Sequence, residues 1–442
     1  MASAVAASVE VVENAATASH HTLPSSWWKS EKIFEIEKRA IFNQSWMYCT
    51  HASRFKKAGD YYSFTVVGIN FFIIKTKGEG NLKAFHNVCR HRAYPVIRKE
   101  KGSSTILGCK YHGWSYNTEG KLNKAPQFDD VEGFKKEDNS LFEIKTHVTP
   151  EGLVFVNFSA GEVPSFDEWF DGLSGELKEY DFEDYEYHMS YELDGQFNWK
   201  TLMDGYQECY HCPTAHPGLN AAFKMETYKV APRTRYCRHY AQIVKEDIEI
   251  EADDKDADEE SSWFGFGKKK TAVESKPEKK KNPGGDFDGL WVYLYPNNGV
   301  NCYSDCWYSI RVLPQSATRT ILQYDIYTKK GLAEEKKKEF VDFLQLVEIE
   351  DFNLCQLTQK NLNQGIYSTG VLHPTKENGV LFYQKEVAKM VKEHFAKEQE
   401  AGHLINPASL DTGRTKESDE LEGICKSLEC QGNNPETTGL QW

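Results

Sequence analysis

Two matched Cys–His pairs constrain this chain more than any other feature. Cys89-Arg90-His91 is followed, after 17 intervening residues, by Cys109-Lys110-Tyr111-His112. Two thiolates and two imidazoles can hold a structural zinc ion, but such sites usually open with C-x₂₋₄-C, and a C-x-H pair fits them poorly. A Rieske-type [2Fe–2S] cluster puts both thiolates on one iron and both imidazoles on the other, so each arm supplies one Cys and one His, as here. Gly108 and Gly113 flank the second arm, where a tight loop has to wrap a cluster. Trp114 and Tyr116 follow and can shield it. Four unrelated core residues are the plain alternative, and two matched arms in an all-β stretch argue against it.

The remaining cysteines fit that reading. Eleven Cys in 442 residues is an odd number in a chain too long to need staples, so free thiols in a reducing compartment are expected, and a Cys with a task is a metal ligand sooner than half of a disulfide. With 40% apolar and 27% charged residues, the chain has the composition of an ordinary globular protein of two or three domains. A net charge of -13 argues against a nucleic-acid partner. No apolar run of about 18 residues exists to span a membrane. Residues 1–27 are rich in Ala, Ser and Val, carry Glu10 and Glu13, and have no Lys or Arg, which suits neither a secretory nor a mitochondrial signal. They are expected to be a disordered leader on a cytoplasmic protein, an atypical transit peptide being the alternative.

Hydrophobic periodicity predicts an amphipathic helix over 28–46, packing on the catalytic domain, with Ile33, Phe34, Ile36, Ile41 and Phe42 at helical spacing. An all-β domain follows over 47–162, with strands at Tyr61–Val67, Phe71–Lys75, Leu82–Phe85 and Gly152–Phe158. The third region, 163–442, alternates strands with long helices. Helices are expected at Phe166–Tyr180, Asn198–His211, Leu332–Asn363 and Gln384–Glu398, and strands at Tyr185–Leu193, Cys237–Val244, Leu290–Tyr295, Tyr308–Leu313 and Thr320–Tyr327. That order predicts an α+β protein whose second domain is an antiparallel sheet covered by helices. Residues 249–285 interrupt it with an acidic block (251–260) and a Lys-rich block (268–281), the signature of a disordered, solvated insertion. Trp263-Phe264-Gly265-Phe266 within it could serve as a docking motif.

A cluster alone moves one electron, so further metal donors would change what the chain can do. His211 and His216 are five residues apart, which on a straight helix would separate them by about 140°. Pro213 breaks the helix and lets His216 return from a loop. Two imidazoles plus one carboxylate form the facial triad of non-haem Fe(II) oxygenases, with positions left open for O₂. Asp351 falls within an apolar stripe of Phe340, Leu344, Val347, Leu354 and Leu362, where a buried carboxylate needs a cation, and iron is the natural one. Glu350, at the edge of the stripe, is the fallback, and a Lys or Arg partner is the ordinary alternative. Glu208 shares a helix face with His211, and Asp204, four residues earlier on that face, could be an acid that supports the metal ligands from behind. Both acids could instead be plain surface residues. Cys209-Tyr-His-Cys212 mimics a redox C-x-x-C and is discounted, because no thioredoxin-like βαβ unit surrounds it.

The stretch NVCRHRAYPV…LGCKYHGWSYNTEGKL resembles the Rieske domain of the ring-hydroxylating and quaternary-ammonium oxygenases, over roughly residues 28–160. FNWKTLMDGYQECYHCPTAHPG is most similar to the choline, carnitine and glycine-betaine oxygenases, and EIEDFNLCQ matches the late helix whose Asp closes their iron triad. The resemblance implies a helix-grip catalytic domain, a [2Fe–2S] Rieske cluster, a mononuclear Fe(II), O₂ as co-substrate, and electrons from NAD(P)H through a separate reductase or ferredoxin. It implies that Glu208 joins His211 to His112 of a neighbouring subunit in a ring of three, and that Tyr206 belongs to a cage for a trimethylammonium group. Trp291, Tyr293, Tyr295 and Trp307 lie on strands that could complete the cage, although a chain with 13% aromatic residues also places aromatics in its core. The implied activity is hydroxylation or oxidative N-demethylation of a quaternary ammonium compound. An aromatic-ring hydroxylase, a pure electron carrier and a non-catalytic interaction protein are the competing readings.

Overall fold

The computed structural model describes residues 20–244 and 289–410, together with residues 420, 423 and 424. The insertion expected at 249–285 and the Trp263–Phe266 motif lie outside the described residues, as do residues 1–19. The leader expectation is corrected for residues 20–27. Thr22 and Ser25 donate their N–H groups to the carbonyls of Gly370 and Ser368, Leu23 N–H reaches Gln384 Oε1 at 2.8 Å, and Ser25 and Trp28 are buried.

The helix expected over 28–46 is shorter and interrupted. Ser30 caps α1 (Glu31–Glu37), and a π-helical turn at Lys38–Phe42 follows, rotating Ala40, Ile41 and Phe42 fully into the core. Glu37 on α1 is fully buried, with Oε1 2.7 Å from Lys200 Nζ and Oε2 accepting the Trp199 indole N–H at 2.9 Å. Removing one member of such a pair leaves the other charge buried and unopposed. Lys200→Met is therefore expected to destabilise the protein by about 3–5 kcal/mol in denaturant unfolding, whereas Lys200→Met combined with Glu37→Gln recovers part of the loss.

Ten strands build the N-terminal unit: β1 (Met47–His51), β2 (Asp60–Val66), β3 (Ile69–Lys75), β4 (Leu82–His86), β5 (Lys101–Ser103), β6 (Ile106–Gly108), β7 (Ser115–Asn117), β8 (Leu122–Lys124), β9 (Glu143–Val148) and β10 (Leu153–Asn157). Seven form one antiparallel sheet in the order β1-β10-β9-β4-β3-β2-β5, and β6-β7-β8 form a small meander. β10 is wholly buried and β3 is buried over Phe71–Ile74, because Phe, Ile, Leu and Val fill both faces there.

The helix expected over Phe166–Tyr180 divides into α2 (Phe166–Trp169), which has a Ser165–Glu168 capping box, and α3 (Leu173–Leu177), because Gly172 turns left-handed between them (φ 90°). The second sheet is antiparallel throughout. Its strands are β11 (Tyr185–Gly195), β12 (Phe223–Pro232), β13 (Tyr236–Ile243), β14 (Leu290–Leu294), β15 (Asn298–Cys302), β16 (Cys306–Ser316) and β17 (Arg319–Lys329), in the order β11-β17-β16-β15-β14-β13-β12. β16 is buried on both faces. Its Trp307 side meets the N-terminal unit, stacking on Tyr327 at 3.9 Å with the His51 ring 5.4 Å away. The same junction holds Asp325, 1% exposed and ion-paired to Arg54 (2.9 Å) and Arg311 (3.3 Å).

The other face of the sheet carries α4 (Trp199–Tyr206), α5 (Cys212–Ala215), α6 (Pro217–Ala222), α7 (Glu334–Leu362) and α8 (Asn378–Ala401). The chain is thus a Rieske-like β unit packed on a helix-covered antiparallel sheet. On α7 the buried line runs through Val341, Leu344, Glu348, Cys355, Gln359 and Leu362. Leu354, expected in the stripe, is 42% exposed, because it lies one residue and so about 100° away from buried Cys355. No helix of the described residues is long and apolar enough to cross a membrane.

Candidate active site

The two Cys–His arms fold as near copies. Cys89 N–H bonds the Tyr94 carbonyl and Cys109 N–H bonds that of Trp114. Ala93 and Gly113, each four residues after its Cys, donate back to the Cys carbonyls. Both turns need a left-handed residue, Gly113 at φ 75° and Ala93 at φ 56°. The loops bring His91 Nδ1 to 3.1 Å from His112 Nδ1. Cys89 and Cys109 are buried beside one another, and Tyr116 OH lies 3.3 Å from Cys89 Sγ while accepting the Arg90 N–H. His91 stacks on Trp114 at 5.1 Å, and His112 is exposed. Two buried thiols on one side and two facing ring nitrogens on the other, at the surface, are the donor set of a Rieske cluster.

The second constellation lies after α4. The helix expected over Asn198–His211 stops at Tyr206, so Glu208 and His211 meet in a turn and not on a helix face. Glu208 Oε2 accepts the N–H groups of Tyr210 and His211, and Oε1 takes His211 Nδ1 at 2.5 Å. Pro213 opens α5, and His216 ends it with its ring turned back. His216 Nε2 then lies 3.2 Å from His211 Nε2 and 3.0 Å from Asp351 Oδ1, and Asp351 Oδ1 is 3.4 Å from His211 Nε2. A triangle with these edges can be capped by a metal ion bonded at roughly 2.0–2.2 Å to each corner. Glu350 does not join it; its Oε2 accepts His216 Nδ1 at 2.8 Å and fixes that ring's tautomer.

Electrostatics favour a cation at this point. Burial alone would lower the His211 pKa, but Asp351 and Glu208 outweigh it and raise the value to about 10. Burial works to raise the Asp351 pKa, and the two imidazoles overcome it and hold the carboxyl below its ordinary range. Three carboxylates surround two imidazoles, an excess of negative charge that a divalent ion offsets. Cys212 Sγ lies 3.9 Å from His211 Nε2. Its sulfur is bonded to Cys209, the Cα atoms being 4.9 Å apart. This corrects the expectation of free thiols, which holds at the seven other described cysteines. The turn that carries His211 folds the chain back within three residues and so brings the pair together.

Beside the triangle is a cavity of about 210 Å3, walled by α7 on one side and by β12–β16 on the other. Tyr206 lines it, and its OH donates to Asn301 Oδ1 at 2.9 Å. Trp291 lines it as well. Tyr293, Tyr295 and Trp307 do not; they pack in the core. Strand parity explains Trp307: on β16 it points toward the N-terminal unit, so its neighbour Tyr308 faces the cavity. Phe223, Tyr228, Tyr303, Phe340 and Phe343 add further aromatic wall, and β12 and β15 went unrecognised in the sequence for want of a clean alternation. Asp204 is not in the wall. It accepts Gln384 Nε2–H at 2.8 Å, and burial pushes its carboxyl up to about 7.

Comparison with known proteins agrees with this layout. Residues 45–135 match the model of the Rieske [2Fe-2S] domain, and residues 182–393 match that of the catalytic domain of ring-hydroxylating alpha subunits. The carnitine monooxygenase oxygenase subunit of Acinetobacter baumannii is 27% identical over 382 residues, covering 83% of this chain and 94% of its own. The glycine betaine monooxygenase oxygenase subunit of Pseudomonas aeruginosa is 26% identical over 388 residues (81% and 86%). The chloroplastic choline monooxygenase of Atriplex hortensis is 25% identical over 365 residues (81% and 75%). Among solved structures, the quaternary ammonium Rieske monooxygenase CntA with L-carnitine superposes with a TM-score of 0.68 at 25% identity, covering 84% of this chain and 95% of that one. Naphthalene 1,2-dioxygenase from Rhodococcus, at 16% identity and a TM-score of 0.66, shares the fold.

Proposed function

The chain belongs to the alpha subunits of the Rieske non-haem iron oxygenases, and on that premise we propose that it hydroxylates a small quaternary ammonium compound, with His211, His216 and Asp351 holding the catalytic iron. The observation that carries this reading is the convergence of those three donors beside an aromatic-walled cavity. Cys89 and Cys109 would hold one iron of the cluster, and His91 and His112 the other. When bound, the iron activates O₂, so that R–H, O₂, two electrons and two protons give R–OH and water. The electrons come from a separate reductase.

The residues of the chain do the rest. Glu208 and Glu350 orient the two imidazoles through their Nδ1 atoms and keep each Nε2 free to bind metal. Tyr206, Trp291, Tyr303 and Tyr308 offer aromatic faces to a trimethylammonium group, at roughly 0.5–2 kcal/mol per contact. Hydroxylation of a methyl carbon beside nitrogen yields a hemiaminal that collapses to the demethylated amine, formaldehyde and a proton. Attack on choline's carbinol carbon yields the aldehyde hydrate instead.

Among the described residues no hydrogen bond joins His112 to Glu208 or His211. The exposed His112 edge would therefore pass its electron by way of Glu208 of another copy to the iron site of that copy, in a ring of three. Cys49, Cys237, Cys302, Cys306 and Cys355, buried, unpaired and outside the cluster, suit a reducing cytoplasm. The test is turnover with reductase and NADH on choline, carnitine and glycine betaine, against an arene. Product from at least one quaternary ammonium compound is expected; turnover of the arene alone would overturn the assignment.

A further inference from the structure

One buried acid in the cavity has no part in the metal site. Glu348 lies on α7, one turn before Asp351, is 6% exposed, and lines the cavity. Its Oε1 accepts Tyr308 OH at 3.2 Å and its Oε2 accepts Tyr324 OH at 2.6 Å. Among the described residues no lysine or arginine forms an ion pair with it. Burial and then Asp351 push its carboxyl up to about 7, against the two tyrosine hydroxyls and His216, which favour its ionisation. A carboxylate in such a place costs free energy unless a cation meets it, and the cavity is where that cation can stand. Two neutral polar atoms also face unpaired toward the cavity wall: Asn301 Nδ2 and His239 Nε2, on residues 5% and 6% exposed. His239 is held uncharged, since burial and then Arg238 push its pKa down to about 3.

Resting on the reading of this cavity as a quaternary-ammonium site, we propose that Glu348 is the counter-ion of the substrate's ammonium group and that Asn301 and His239 receive an uncharged oxygen at its other end. The favoured substrate class is then a cationic amino alcohol and not a zwitterionic betaine. The charges of the wall point the same way. Glu208, Asp305, Glu339, Glu348 and Asp351 line it, whereas Lys336, an exposed residue at the start of α7, is its one lysine or arginine. Away from the iron, a substrate carboxylate brought into the interior would meet acids and no buried lysine or arginine of the wall.

Calorimetric binding to the iron-loaded protein tests this with choline, its neutral carbon isostere 3,3-dimethylbutan-1-ol, and glycine betaine. The wild type is expected to bind choline at least tenfold more tightly than either of the others. Glu348→Gln, which keeps the shape, is expected to lose tenfold or more for choline and to change little for the neutral isostere, with the cluster spectrum and iron content retained. Equal binding of choline and its isostere by the wild type would overturn the inference, and that comparison stands even if the variant does not fold. Choline binding unchanged in Glu348→Gln would overturn it too, while leaving the quaternary-ammonium reading intact. Absence of binding by every ammonium compound would overturn both.

Discussion

Asp351→Ala is expected to strip the mononuclear iron from the protein and leave the cluster in place. Asp351 Oδ1 is the one carboxylate oxygen within 3.4 Å of both His211 Nε2 and His216 Nε2. Glu350 cannot stand in, because its carboxylate is engaged on the far nitrogen of His216. Iron per chain should fall from about three to about two, while the absorption and EPR of the cluster persist. Product formation should fall by roughly 10³-fold or more, the scale of the several kcal/mol that a metal contributes to such chemistry. Retention of three irons with full activity would show that another group closes the triangle.

Glu208→Gln is expected to separate reduction of the cluster from use of its electron. The substitution keeps the size of the side chain and can still accept from His211 Nδ1, where Glu208 now bonds at 2.5 Å. It removes the charge that, in the proposed assembly, would link this imidazole to His112 of another copy. Iron content should fall by no more than the loss of one outer-sphere partner implies, and the reductase should reduce the cluster as before. Product formation should drop by roughly 10–100-fold. Stopped-flow absorbance is the decisive readout, since the reduced cluster should persist in the presence of substrate and O₂. A merely structural role for Glu208 would leave the rate of cluster re-oxidation unchanged.

How far the sequence reveals this site depends on how local each part is. The Cys–His arms are local loops, so their spacing is nearly their geometry, and only the left-handed Ala93 had no signal comparable to Gly113. His211 and His216 were legible because Pro213 resolves their separation. Asp351 was legible because a carboxylate in an apolar stripe needs a partner. Glu208 was expected to share a helix face with His211; α4 ends at Tyr206, and it is the turn beyond it that brings Glu208 to His211. That same turn closes the Cys209–Cys212 disulfide, which composition argued against. Trp307 and Tyr308 differ by one residue and face opposite sides of β16, a distinction that needs the register of the whole sheet. Glu348, Asn301 and His239 come together from a helix and two strands, and no local pattern announces that.

On the reading proposed above, the chain couples its cluster to an O₂-activating iron site of the same protein and transfers oxygen to substrate. A single turnover tests it most directly. The iron-loaded protein would be chemically reduced, freed of reductant and mixed with choline under ¹⁸O₂. Oxidation of the cluster accompanied by an equivalent of O₂-dependent organic product is the predicted result, with ¹⁸O in that product when it is trapped before its carbonyl exchanges oxygen with water. Oxidation of the cluster with no organic product from any quaternary ammonium compound or arene would overturn the oxygenase reading and leave the chain an electron carrier.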